Sequence, residues 1–211
     1  MKNTFTINSS SKNEKVENFF KKAMEELKTF FLINWIENTP VVFLVDSRKD
    51  FDVLVNRKTE KWVVGQCFEK NKILFLSPES YEKESIHKYS DEEYYFLLKH
   101  ELSHFFYNIY TKEKGPNWLS EGFAVFSSGE LKKKKRVGEF KNFLKYYTDF
   151  DQKIYEESGF AVEVLIKKFG KEKVLNFLKK LPGIENEEMF KKCFEEHFNF
   201  KLEYSSFNKL L

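Results

Sequence analysis

Residues 98–104 have the sequence LKHELSH, in which His100 and His104 lie four positions apart and Glu101 directly follows the first histidine. In an α-helix, residues four positions apart lie on one face, one turn from each other. The two histidines can therefore bind one metal ion from the same side, with the Glu101 carboxylate next to it. Two imidazole ligands and a neighbouring carboxylate are the arrangement that a zinc hydrolase needs.

The flanking sequence predicts that this motif lies in a buried helix. Three acidic residues at positions 91–93 are typical of a helix start. Apolar residues then occupy nearly every face as far as Tyr110, which is typical of a helix inside a protein. Two histidines and a glutamate are unfavourable there unless something binds them. The alternative is a pair of core histidines whose ring nitrogens are satisfied by hydrogen bonds.

Glu121 is the candidate third ligand, 17 positions after His104. Residues 112–116 have the composition of a turn, and a second helix is predicted to start near Asn117, which would cap it. Glu121 is the only acidic residue in the apolar run of that helix. An antiparallel helix would bring it over the two histidines, and Gly122 would let the two helices approach closely. The alternative is a solvated glutamate on the helix surface.

Together with the sequence PNWLSEGFA at residues 116–124, the LKHELSH segment resembles the gluzincin metallopeptidases. These are the thermolysin-like and aminopeptidase-like zinc proteases, and the compact peptidase MA-like domain is the most similar group. HExxH followed by WLSEGxA is much more specific than HExxH alone. The resemblance implies one zinc ion held by His100, His104 and Glu121, with Glu101 as the catalytic base and a peptide or protein as the substrate.

The same resemblance implies an α+β fold of the zincin (thermolysin-like) type. It would consist of a small N-terminal mixed β-sheet with helices, the active-site helix that carries HExxH, and a helical C-terminal lobe. A chain of 211 residues fits a single domain. We place the N-terminal α/β lobe at residues 1–90, the metal-site helices at 91–130 and the helical lobe at 131–211.

Local patterns predict the elements of these lobes. The apolar run at residues 41–45 predicts a buried strand, and residues 62–68 and 73–76 predict a hairpin. Residues 78–89 are predicted to be a polar linker. Helices of the C-terminal lobe are predicted at residues 140–147, 153–169, 171–181 and 187–198.

In the family, the substrate backbone pairs with an edge strand of the small sheet. Our candidate for that strand is residues 63–68, which makes Gly65, Gln66 and Cys67 substrate-binding residues. An ordinary internal strand is the alternative. No acidic residue occurs at positions 65–67, which disfavours strict aminopeptidase action.

Residues 155–160, YEESGF, match a family segment in which a tyrosine faces the metal. The match implies that Tyr155 is catalytic and donates a hydrogen bond to the oxyanion as it forms. Tyr146 and Tyr147 are substitutes for this role, and a tyrosine that only packs is the alternative. The acid that thermolysin-like enzymes carry four residues after the glutamate ligand is absent, because that position is Val125. The groups that orient the imidazoles are therefore not identified by the sequence.

A net charge of +3 is too small to indicate nucleic acid or a membrane surface as a partner, and we expect neither. We interpret the basic run at residues 132–136 as a solvated loop.

Cys67 and Cys193 are interpreted as free thiols of a reducing compartment. No signal-peptide pattern and no run of about 20 apolar residues occurs, so a cytoplasmic location is expected. The sequence does not indicate an oligomeric state.

Two other functions stay open. A catalytically inactive zincin-fold protein would act as a partner-binding or structural module, although the presence of all four metal-site residues argues against it. A non-enzymatic interaction protein would use the basic run and the helical C-terminal half, and HELSH would then be a coincidence. Metal content separates this last function from the other two.

Overall fold

The computed structural model describes residues 13–68, 70–145 and 152–211. Its helices and strands are, in chain order, α1 (Glu14–Phe31), β1 (Val41–Val45), α2 (Arg48–Leu54), β2 (Gly65–Phe68), β3 (Lys72–Leu76), α3 (Tyr81–Glu84), α4 (Asp91–Thr111), α5 (Asn117–Ser128), α6 (Gln152–Phe169), α7 (Lys171–Leu178), α8 (Glu187–Phe198) and α9 (Tyr204–Asn208). Among these helices none combines the length and the apolar character needed to cross a membrane.

Three strands form a small mixed sheet in the order β1-β3-β2. β1 runs parallel to β3, and β2 pairs antiparallel with β3, so the predicted hairpin is confirmed. β3 is the buried central strand. The prediction that residues 41–45 are buried is wrong for this outer strand, in which Val41 is 54% and Phe43 37% exposed.

The chain divides into two compact units, and two of the three boundaries between them lie inside helices, in α1 and α4. The first unit contains residues 34–102 together with the chain up to Glu26, and the second contains Leu27–Ile33 and Ser103–Leu211. The predicted lobes instead ended at residues 90 and 130. α4 is one continuous helix whose first part belongs to the first unit and whose last part belongs to the second.

In the first unit, β3 packs against the start of α4. The Tyr94 hydroxyl donates a hydrogen bond to the carbonyl oxygen of Leu76 (3.0 Å), and the rings of Phe75 and Tyr94 lie 5.4 Å apart. Arg48 of α2 donates to the carbonyl oxygens of Val63 and Glu84, which fixes the segment that leads into β2. The sheet is thereby tied to the helix that carries the HExxH motif.

In the second unit, α5 and α6 meet at two glycines. A Cβ atom on Gly122 would lie 2.6 Å from the carbonyl oxygen of Ser158, and one on Gly159 would lie 2.5 Å from Cγ1 of Val125. Both distances are too short for a side chain, so both positions need glycine. The prediction that Gly122 serves the approach of α5 to α4 is wrong, because its nearest neighbours belong to α6.

Most predicted helices are present, and the differences have local causes. Residues 78–89 contain the short helix α3, and α7 ends at Leu178 before a 3₁₀ turn at Leu181–Gly183. Asn186 caps α8 by accepting a hydrogen bond from the Met189 amide. Asn117 does not cap α5. Pro116 occupies the N-cap position instead, and Asn117 is the first helical residue.

The predicted helix at 140–147 is wrong for its first residues, and residues 146 and 147 lie outside the described part of the chain. A 3₁₀ turn begins only at Phe143. Asn208 binds both backbone groups of Phe140, whose carbonyl oxygen is therefore engaged with a side chain and not with a helical amide.

The buried Glu157 of α6 holds the segment that precedes this turn. Its Oε2 accepts hydrogen bonds from the backbone amides of Lys141 (3.1 Å), Asn142 (2.8 Å) and Phe143 (3.0 Å). Its Oε1 accepts one from the side-chain amide of Asn142 at 2.7 Å. Hydrogen bonds to a buried charged acceptor are among the stronger ones in a protein.

We expect Glu157→Gln to lower the free energy of unfolding by about 2–3 kcal/mol, because the charge is lost and the carboxamide NH₂ group would face a hydrogen-bond donor, either the Asn142 side-chain amide or the backbone amides. The matched control is Glu156→Gln on the exposed side of α6, which should change it by less than about 0.5 kcal/mol. Urea unfolding followed by circular dichroism measures both. Equal effects of the two substitutions would contradict a structural role for the Glu157 carboxylate.

Candidate metal centre

The helix that carries the motif forms as predicted. α4 extends from Asp91 to Thr111, and its first residue pairs with Lys15 of α1 at 3.0 Å. His100 is only 4% exposed, and the side chain of His104 is 18% exposed. Both histidines are therefore largely removed from water, one turn apart on the same helix.

Glu121 of α5 lies beside them. One ligand atom from each of His100, His104 and Glu121 can be chosen so that all lie within 4.8 Å of one another. The Glu121 side chain is 14% exposed, so it is not a solvated surface residue. The structure thus brings together the three residues that the sequence identified as ligands.

The spacing of these atoms can be compared with that of a zinc site. His104 Nε2 and Glu121 Oε1 are 3.7 Å apart. Ligand bonds of 2.0–2.1 Å in a tetrahedral site place neighbouring ligand atoms about 3.3 Å apart. A separation of 3.7 Å is too long for a hydrogen bond but close to that spacing. Two imidazoles and one carboxylate are also a donor set that catalytic zinc sites use, so the residues fit this ion.

Ser120 is a neighbour of the candidate ligands that sequence reasoning missed. Its Oγ lies 3.1 Å from Nδ1 of His104. When Nδ1–H donates to the hydroxyl, Nε2 keeps its lone pair on the side of Glu121. The sequence feature that could have identified it is its position as a polar residue directly before Glu121 in an apolar run. Val125 occupies the position at which thermolysin-like enzymes carry an acid, and its side chain packs on Gly159 of α6.

Glu101 is held by strand β2. Its Oε2 accepts a hydrogen bond from the backbone amide of Cys67 at 3.0 Å, and Cys67 Sγ lies 3.3 Å from the same oxygen. Among the described residues, the hydrogen bonds to the Glu101 carboxylate reach Oε2. Oε1 can therefore accept a proton.

The predicted substrate-binding residues lie on an outer strand of the described sheet. The side chain of Gln66 accepts a hydrogen bond from Arg57 at 2.7 Å. A Cβ atom on Gly65 would lie 2.4 Å from the ring of Phe75, which explains the glycine. The Cys67 amide already binds Glu101. Pairing of a substrate with this strand stays a prediction.

Tyr155 lies on α6 and is half-buried, with the Lys134 ammonium 5.0 Å from the centre of its ring. It precedes Ser158, the residue whose carbonyl oxygen meets Gly122, by one helical turn. α6 therefore passes α5 next to Glu121, but the catalytic role of Tyr155 stays a prediction. The substitutes Tyr146 and Tyr147 lie outside the described residues.

An ion pair anchors α4 directly before its first histidine. The buried Lys99 pairs with Glu26 of α1. Burial raises the pKa of the Glu26 carboxyl, but hydrogen bonds from Lys99 and Tyr95 and the charge of Lys99 outweigh this, and the pKa is lowered. This pairing stabilises the fold above the usual carboxyl pKa of 4.5 and is lost as the pH falls through the lower folded value.

The basic run at residues 132–136 is a mostly exposed loop. Arg136 makes two contacts with Glu163 of α6, at 3.0 and 3.2 Å, and part of its charge is balanced there. Burial raises the pKa of Glu163, but hydrogen bonds from Lys167 and Arg136 outweigh it and lower the pKa. Neither Cys67 nor Cys193 forms a disulfide bond, and both are partly exposed rather than buried.

Comparison with protein-family profiles, curated proteins and solved structures finds no significant match. The chemistry of this centre must therefore be inferred from its own geometry. That geometry comprises a His-His-Glu group with little exposure to solvent, a hydroxyl within hydrogen-bond distance of one imidazole, and a carboxylate bonded to β2 beside the first histidine.

We expect Ser120→Ala to weaken zinc binding about 10- to 100-fold, because it removes the group that orients His104. Competition with a chromogenic chelator measures the affinity. Ser128→Ala, on the same helix but bonded to Val125 and Glu130, is the matched control and should bind zinc as the unmodified protein does. Unchanged affinity in Ser120→Ala would show that the hydroxyl does not support the ligand.

Proposed function

We propose that this chain is a zinc-dependent peptidase of the gluzincin type, which hydrolyses peptide bonds. The observation that carries the proposal is the group of His100, His104 and Glu121, whose ligand atoms lie within 4.8 Å of one another on two helices. Three protein ligands leave a fourth coordination position open in a catalytic zinc site. A purely structural zinc site is usually closed by four protein ligands.

A bound zinc ion would polarise the scissile carbonyl and make water acidic enough to lose a proton near neutral pH. Glu101 accepts this proton through Oε1 and later donates it to the leaving amine. His104, oriented by Ser120, keeps Nε2 available as a ligand. Glu101 follows His100 in the same turn of α4, and this adjacency supports its assignment as the base.

Tyr155 is our candidate for stabilising the oxyanion. The support is indirect: α6 crosses α5 at Ser158 and Gly122, one turn from Tyr155 and one residue from Glu121. A phenol at that position donates a hydrogen bond to the negative charge that develops on the carbonyl oxygen.

We expect the unmodified protein to bind one zinc ion and to cleave a casein or peptide library. His100→Ala should lose the metal, because one of three ligands is removed. Glu101→Gln should keep the metal and lose peptide cleavage by about 100-fold or more, because the base is removed. Metal analysis and mass spectrometry of the products measure the two properties separately.

The matched control for Glu101→Gln is Glu92→Gln, an exposed acid in the first turn of α4, which should change neither property. Cleavage that survives Glu101→Gln would show that the base is assigned wrongly. Zinc binding without any cleavage by the unmodified protein would support the inactive, partner-binding alternative. A protein that binds no metal would exclude both.

We expect Tyr155→Phe to lower kcat by about 100-fold with zinc content unchanged, because one donor to the oxyanion is lost. Steady-state kinetics on a fluorogenic peptide measure this effect. Tyr204→Phe on α9 is the control and should leave kcat unchanged. A Tyr155→Phe protein with normal kcat would assign this tyrosine to packing alone.

A further inference from the structure

We propose that Cys67 is a positioning residue for Glu101, so that the outer side of β2 orients the base and does not bind substrate at this residue. The catalytic part of this inference rests on the proposed function. The contact between Cys67 and Glu101 does not, and it can be tested on the metal-free protein.

Two donors of one residue reach the same oxygen. The backbone amide of Cys67 lies 3.0 Å from Glu101 Oε2, and the thiol sulfur lies 3.3 Å from it. The sulfur is also 3.5 Å from the carbonyl oxygen of Glu101, so the thiol lies against both the side chain and the backbone of this residue. Both residues belong to the first unit, and the contact is internal to it.

The strand pairing shows that the Cys67 amide is not needed for the sheet. Val64 accepts a hydrogen bond from the amide of Leu76 at 2.9 Å, so its backbone groups face β3. In an antiparallel pair the residues alternate between facing the partner strand and facing away from it. Gln66 therefore faces β3, whereas Gly65 and Cys67 face outward. The outward amide of Cys67 is the one that binds Glu101.

This contact changes the role assigned to Cys67. A glutamate side chain has several rotatable bonds, and a general base works only when its oxygen is held at the proton that it accepts. Two donors on Oε2 restrict the carboxylate and leave Oε1 for the proton. A peptide that pairs with β2 cannot use the Cys67 amide while Glu101 occupies it, so Cys67 belongs to the base and not to the substrate.

Amide hydrogen exchange tests the contact in the zinc-free protein. The Cys67 amide should exchange about tenfold or more slowly than the outward amide of Gly65, because it is bonded to a carboxylate. In Glu101→Ala it should exchange as fast as that of Gly65. An exchange rate at Cys67 that Glu101→Ala leaves unchanged would overturn the proposal, whatever the protein does with peptides.

Kinetics test the positioning role. Cys67→Pro deletes the amide hydrogen at a place where an outer strand tolerates proline, because the hydrogen points away from the sheet. We expect kcat to fall about 10-fold or more, with KM changed less than about twofold and zinc content unchanged, since a bond to a charged group is lost. Cys67→Ala should lower kcat less, and Cys67→Ser should restore it, because a hydroxyl replaces the thiol donor.

Cys193→Ala removes the other thiol of the chain and should not change kcat, which makes it the matched control. Normal kcat in a folded Cys67→Pro protein, or equal kcat in Cys67→Ala and Cys67→Ser, would overturn the positioning role. If Cys67→Pro does not fold, the kcat values of Cys67→Ala and Cys67→Ser still test the positioning role, and the exchange rates still test the contact. Absence of peptide cleavage by the unmodified protein would refute the proposed function and the positioning role together. The exchange rates would still show whether the Cys67 amide binds Glu101.

Discussion

Burying an imidazole or a carboxylate is unfavourable unless a partner replaces the lost water, and α4 carries one buried and one largely buried imidazole one turn apart. The partner groups come from one turn of α5. Ser120 meets one nitrogen of His104, and Glu121 faces the other. The same two helices are joined further along by a buried hydrogen bond from the Ser127 hydroxyl to that of Ser103, at 2.8 Å. The position of α5 against α4 is therefore the condition for the whole centre.

The orientation of the proposed base, the Glu101 carboxylate, depends on strand β2 and not on α5. Glu101 is one residue from His100 on α4, but its orientation depends on Cys67 of β2. β2 in turn is held by its pairing with β3 and by Arg48, which binds the carbonyl oxygen of Val63 ahead of the strand. The proposed metal ligands and the proposed base are thus held by separate sets of contacts, and we expect variants to affect them independently.

Features that depend on neighbours in sequence could mostly be predicted, and most of those that depend on distant contacts could not. α4 and α8 follow from acidic starts, a capping asparagine and apolar spacing, all of which act within a few residues. The grouping of Glu121 with the histidines is a distant contact that could be predicted, because a short turn joins the two helices and Glu121 is the only acid in the apolar run that follows. Ser120 was missed because a serine beside a ligand has no distinctive spacing. The true neighbour of Gly122 depends on where α6 packs, which no local pattern contains.

The backbone crossing of α5 and α6 has a consequence for how this protein tolerates mutation. A Cβ atom on Gly122 would meet the carbonyl oxygen of Ser158, and a main-chain atom cannot be replaced by a smaller one to make room. One added methyl group there would push the helix axes apart by about 1 Å. Glu121 would travel with α5, and ligand atoms tolerate errors of only a few tenths of an ångström. If the chain holds an ion as proposed, a larger residue at this crossing would therefore displace one candidate ligand, although Gly122 and Ser158 are not among the candidate ligands themselves.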